Sequence, residues 1–293
     1  MAYQLFLGCV IPARLPFVEA SARKVFDKLG IKLKDIIGAS CCPDPTGLPA
    51  IDVTSWLALG ARNLSIMEAD GQAISLCSGC VETLKTVNHE LKKDPNKKDE
   101  INKMLGKIGK KYKGTVEINH AARILYENIE KIKKNVSKPL EGFKVAVHYG
   151  CHFLRPSEII QWDDPLEPTT IDEIIEALGA ESIQYPAKMD CCGNPLTKTD
   201  ENFANDLIHK KLQSIEASRA NCVTVVCPAC FIQFDINQHA VNKAFDKNYN
   251  FPVFYLTELI ALAFGFDEKN MGLKFHRTKT KNLLQETNIG IAP

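Results

Sequence analysis

Short apolar runs that stop at a glycine or a cysteine alternate along this chain with longer segments of helical period, and the whole alternation occurs twice. The first round opens with the run Gln4 to Gly8, followed by a helical segment from Phe17 to Leu29 closed by Gly30. A run from Leu33 to Gly38, a helical segment from Val53 to Met67 and a run from Ala73 to Leu76 come next. Thr115 to Ile118 and a helical segment from Ala121 to Ile132 close it. The second round reads Lys144 to Gly150, Ile171 to Leu178 closed by Gly179, Ser182 to Tyr185, Glu201 to Ser218, and Val223 to Val226. It ends with Pro252 to Tyr255 and Leu256 to Phe264.

Strands that alternate with helices need right-handed crossovers, so the predicted class is α/β. Two pseudo-twofold-related, Rossmann-like halves are expected, each with a mainly parallel sheet. The join lies near residues 134–142, giving halves at 1–140 and 141–268 and a polar, basic tail at 269–293. The lysine-rich stretch 92–113 reads as a solvated insertion.

The cysteines sharpen the repeat. Cys9 is followed after 31 residues by Cys41-Cys42, then after 34 more by Cys77-x-x-Cys80. Cys151 is followed after 39 residues by Cys191-Cys192, then again after 34 by Cys227-x-x-Cys230. Every group comes just after a predicted strand, and the carboxyl ends of parallel strands share one edge, so the repeat predicts a five-cysteine site in each half. Cys222 stands outside both sets and reads as a small buried hydrophobe.

Composition narrows what those thiols do. Lys plus Arg number 36 against 35 Asp plus Glu, which gives no field for nucleic acid or an anionic membrane. The first residues lack the basic and apolar regions of a secretory signal, and no stretch reaches the ~20 apolar residues of a membrane span. A cytoplasmic location is expected. Eleven cysteines, an odd count, in a reducing compartment argue for metal or redox chemistry over disulfides. Thiolates leave zinc and iron-sulfur clusters as choices. Zinc takes four ligands, and an adjacent Cys-Cys pair is awkward for one tetrahedral ion, so five thiolates suit a multi-iron cluster better, with zinc as the alternative.

With both sets in view, the chain resembles the cysteine-rich CCG-domain family, and within it the B subunits of methanogen heterodisulfide reductases. The resemblance covers residues 1–265 and rests on Cys9, Cys41-Cys42, Cys77-x-x-Cys80, Cys151, Cys191-Cys192-Gly193 and Cys227-x-x-Cys230. Pro43 stands where the motif has glycine. The resemblance implies an oxidoreductase of methanogenesis that reduces the mixed disulfide of coenzyme M and coenzyme B, with a non-cubane [4Fe-4S] cluster in each half. It implies a ferredoxin-like C subunit and a flavin-containing A subunit as partners, with a hydrogenase or formate dehydrogenase upstream. Other relatives serve hydroxyacid oxidases and thiol-linked fumarate reductases, so an electron-transfer subunit of such an enzyme is the alternative. A non-catalytic electron relay is a third reading.

A disulfide takes two electrons whereas a cluster usually passes one, so two clusters facing one sulfur-sulfur bond would each deliver one electron. No side-chain nucleophile is then needed. Both coenzymes are anionic, and Arg14, just after Cys9, with His152 and Arg155, just after Cys151, are the expected substrate contacts. His152 is also the candidate proton donor to a departing thiolate. His148 sits in a strand pattern and reads as a core residue as readily as a ligand contact.

Overall fold

A computed structural model describes residues 2–289; residues 290–293 of the expected tail lie outside the described residues. The first sheet contains β1 (Ala2–Phe6), β2 (Lys32–Asp35), β3 (Gln72–Ser75) and β4 (Glu117–His120), in the order β2-β1-β3-β4. The second contains β5 (Lys144–His148), β6 (Glu181–Ile183), β7 (Cys222–Val225) and β8 (Val253–Tyr255), in the order β6-β5-β7-β8. All pairings are parallel, and the two orders are the same within the repeat. The class is therefore α/β, with two similar halves.

Burial explains the strand composition. All four residues of β7 are buried, as expected of an inner parallel strand covered on both faces, whereas the edge strands β2 and β6 are short and mostly open. Several elements depart from the sequence expectations, among them the strand expected over 33–38, which ends at Asp35. The strand expected from Thr115 begins at Glu117, because the Glu68 carboxylate accepts from the amides of Lys113, Gly114 and Thr115 and holds them in a turn. The helix expected over 121–132 breaks in two at Asn128. The stretch 92–113 is not wholly solvated: helix Pro95–Gly106 buries Ile101 and Leu105, and Tyr112 is fully buried behind it.

One apolar cluster runs from Leu5 and the helix Pro16–Lys28 into the second sheet and its helix Leu256–Ala263, so the halves share a core. The Ser21 and Thr257 hydroxyls meet across it at 2.8 Å. A second cluster, with Trp56, Leu64 and Leu84, belongs to the first half alone. The tail is packed through its described residues. Leu283 and Leu284 are buried, and the His276 ring lies 4.7 Å from that of Phe17. Its Nδ1 donates to the Val253 carbonyl, and Nε2 donates to Glu258 at 3.0 Å. Among the described residues no helix is long and apolar enough to cross a membrane.

Candidate metal centre

Strand ends deliver the cysteines. β1 runs into Gly8 and Cys9, β3 into Cys77, β5 into Gly150 and Cys151, and β7 into Cys227. In each sheet the chain leaves the first and third strands toward opposite edges, and the crevice between their carboxyl ends is the usual ligand position in open α/β sheets. The Cys77 sulfur caps the helix Ser78–Lys93, accepting from the Cys80 amide at 3.4 Å, which turns the positive helix end toward the sulfurs.

The sulfurs follow one order of neighbours in both halves. Cys41 lies beside Cys42 and Cys9, Cys42 beside Cys80, and Cys80 beside Cys77. Cys191 lies beside Cys192 and Cys151, Cys192 beside Cys230, and Cys230 beside Cys227. Cys77 and Cys227 interact directly, so the two series join end to end across the interface between halves. Cys222 is fully buried within β7, its sulfur against the Lys144 carbonyl, and lies outside both series.

Such crowding allows few negative charges. Hydrogen bonds from Cys41 and Cys80 lower Cys42 to about 4, while Cys41, Cys77 and Cys80 are held above the usual thiol range by their sulfur neighbours and burial. Cys192 and Cys227 are likewise lowered by neighbouring thiols, and Cys191 and Cys230 raised. A cationic metal centre among the sulfurs removes that repulsion and lets every thiolate form.

Two glycines keep room for such a centre. A Cβ at Gly8 would stand 2.8 Å from the Cys80 sulfur, and one at Gly150 would stand 3.4 Å from that of Cys230. Both residues have positive φ, which glycine adopts without strain. The residues present thus fit an iron-sulfur group, with five convergent thiols in each half rather than the four of a closed zinc site. In the second half His148 Nε2 also lies 3.3 Å from the Cys230 sulfur, and His148, Cys192 and Cys230 bring their ligand atoms within 4.8 Å of one another. Its Nδ1 is buried without a hydrogen-bond partner.

A cleft of about 590 Å³ opens along the join and is lined by all five cysteines of the first set together with Cys227. Arg14 and His152 line it, as does Lys198. Arg155 does not: it is exposed, and its guanidinium donates to the Pro165 carbonyl at 3.0 Å. His152 is raised to about 9; burial opposes this, and the hydrogen bond with Cys151 and the charges of Cys151 and Glu82 overcome it. Sequence reasoning missed Lys198, Lys211 and the placement of His148. Superposing the halves on their equal gap of 34 residues, so that position n meets n+150, is the signal that finds two of them: Lys211 falls on Ala61 and Lys198 on Leu48.

The interface is clasped the same way from both sides. His120, ending β4, contacts the Val226 carbonyl through Nε2 at 2.9 Å, just before Cys227. Tyr255, ending β8, donates its hydroxyl to the Leu76 carbonyl, just before Cys77.

A doubled parallel α/β frame whose strand ends converge ten thiols defines an iron-sulfur electron-transfer subunit. The chain belongs to the CCG cysteine-rich domain family, whose profile matches residues 3–85 and 145–235. It is 38% identical over 275 residues to the B subunit of the ferredoxin:CoB-CoM heterodisulfide reductase of Methanosarcina mazei, covering 92% of this chain and 91% of that one. It is 33% identical over 289 residues to the 8-methylmenaquinol:fumarate reductase membrane anchor subunit of Wolinella succinogenes, covering 98% of this chain and 99% of that one. A hypothetical protein from Helicobacter pylori has the same fold at a TM-score of 0.74 and 17% identity, over 95% of this chain and 52% of that one.

Proposed function

We propose that this chain is the catalytic subunit of a heterodisulfide reductase, reducing the mixed disulfide of coenzyme M and coenzyme B to two thiols. One non-cubane [4Fe-4S] cluster would be held by Cys9, Cys41, Cys42, Cys77 and Cys80, and a second by Cys151, Cys191, Cys192, Cys227 and Cys230. The observation that carries this reading is the contact between Cys77 and Cys227 in the wall of a single cleft, since metal sites that join at one cavity suit a substrate with two reacting sulfurs. When bound, the clusters supply the two electrons that the disulfide takes up.

The chain's own residues supply position and protons. Arg14 and Lys198 bring cations from the two halves to a sulfonate and a phosphate. Leu7, Val10, Ile232 and Ile236 offer an apolar wall to an alkyl chain. His152 stands at the cleft with its imidazole beside Cys151, where it can donate a proton to a departing thiolate. Arg155 is tied to the Pro165 carbonyl and is not among the residues that line the cleft.

The relatives are named as subunits, which supports assembly into a larger enzyme. The partners proposed are a ferredoxin-like C subunit and a flavin-containing A subunit, with a hydrogenase or formate dehydrogenase upstream, in the cytoplasm. The fumarate reductase relative, matched over nearly the whole chain, favours a second reading as an electron-transfer subunit of such an enzyme. An anaerobic assay with reduced viologen separates the two. The first reading expects oxidation of the dye by the mixed disulfide with the chain alone; oxidation only by fumarate, and only with a partner present, supports the second.

A further inference from the structure

The repeat makes the two sulfur sets alike, and the buried residues around them differ in charge and in donors; exposed Asp190 in the place of Ser40, and half-buried Arg62 in the place of Leu212, act the other way. The equal gaps from Cys42 to Cys77 and from Cys192 to Cys227 pair position n with n+150. The helix Val53–Met67 then falls on Glu201–Ala217 with their carboxyl ends matched. Lys211 occupies the place of Ala61, and both are fully buried. Asn194 occupies the place of Asp44, whose carboxylate acts on Cys42. At the strand ends, where Gly8-Cys9 matches Gly150-Cys151, His148 occupies the place of Phe6. The sheet registers agree, with Phe6 opposite Ser75 and His148 opposite Val225.

Lys211 for Ala61 and Asn194 for Asp44 make the second site more positive, and His148 for Phe6 adds a donor to it. The Lys211 ammonium donates to the carbonyls of Ala187, Lys188 and Asp190, at 2.6, 3.2 and 2.7 Å, which uses its three protons. Among the described residues it makes no ion pair within 4 Å, and its charge interacts first with that of Asp190 and then with those of Cys192, Cys230 and Cys191. His148 sets a ring nitrogen against the Cys230 sulfur, while Phe6 has nothing to offer Cys80. The first site instead carries the Asp44 carboxylate beside Cys42. An added electron is stabilised by cations and by donors to the sulfurs, and destabilised by a nearby carboxylate. Exposure acts the other way, since Cys9 is more open than Cys151 and Cys77 more open than Cys227. Lys211 has no exposed surface and is poorly screened, whereas Asp190 is exposed and screened by solvent, so the lysine charge prevails at the sulfurs.

Resting on the cluster reading above, we propose that the sites are unequal electron acceptors: the cluster held by the second set takes its electron at the higher potential, tuned by Lys211 and His148. Both are positioning residues that act through the cysteines. Cys42→Ala and Cys192→Ala each leave one intact five-cysteine site, and iron and sulfide content with a potentiometric titration read by electron paramagnetic resonance characterises each. The chain with only its second site should reduce at the higher potential, by at least a tenfold difference in reduced-to-oxidised ratio, or about 59 mV for one electron. Lys211→Met and His148→Phe should lower that potential and leave the first site's unchanged, and His148→Gln, which keeps a donor, should restore part of it. Equal or reversed potentials in the two single-site proteins would overturn the proposal, as would an unaltered second-site potential in loaded Lys211→Met and His148→Phe. Absence of iron from the parent chain would instead sink the cluster reading itself.

Discussion

At the scale of the residue, the site depends on groups that are missing as much as on those present. Gly8→Ala combines a backbone cost of about 1–2 kcal/mol for a side chain at positive φ with a Cβ only 2.8 Å from the Cys80 sulfur. Iron content should fall by about half, with the second site still loaded. Gly30→Ala is the control: its φ is also positive, nothing lies within 4 Å, and it should lower stability by about 1 kcal/mol with iron unchanged. Arg14→Ala and Lys198→Ala should raise the KM for the disulfide with both clusters intact, and iron loss in either would make that residue structural. The cysteines were legible because their order repeats at fixed spacing. His148, Lys211 and Lys198 were not, since a histidine in a strand and lysines on or beside a helix are ordinary until a fold brings them to sulfur or to a cleft.

At the scale of the element, helix Val53–Met67 has the predicted bounds and most strands lie within a residue or two, because period and glycine stops are local signals. β4 was misplaced because its start is set by Glu68, 49 positions before Glu117, which no local pattern reveals. That shift puts His120 at a strand end, where Nδ1 accepts from the Ala122 amide and Nε2–H donates to Val226. The neutral ring satisfies both partners, and burial lowers His120 to about 4. Unfolded, it titrates near 6.5. Its contribution is therefore complete above that pH and is lost as pH falls toward about 4, by on the order of 3 kcal/mol. Melting curves should show a smaller loss over that window for His120→Gln than for the parent; an identical pH profile would remove His120 from the account. Tyr255→Phe, which leaves the buried Leu76 carbonyl without its donor, should cost about 1–3 kcal/mol at any pH.

At the scale of the whole molecule, the repeat predicted two sheets, but it did not predict their common core or the packed tail. Those arise from contacts distant in sequence, such as Ser21 with Thr257 and Phe17 with His276, where each residue alone carries no signal. The shared core brings Cys77 to Cys227, so the second cysteine set reaches, through Cys227, the cleft that the first set lines. The direct measurement is iron and acid-labile sulfide per chain after anaerobic preparation, followed by the paramagnetic spectrum with coenzyme M or coenzyme B added. Two four-iron clusters, or about eight iron atoms per chain, with a spectrum that changes on thiol addition, are predicted. A chain that binds only zinc, or clusters indifferent to both thiols, would contradict the account.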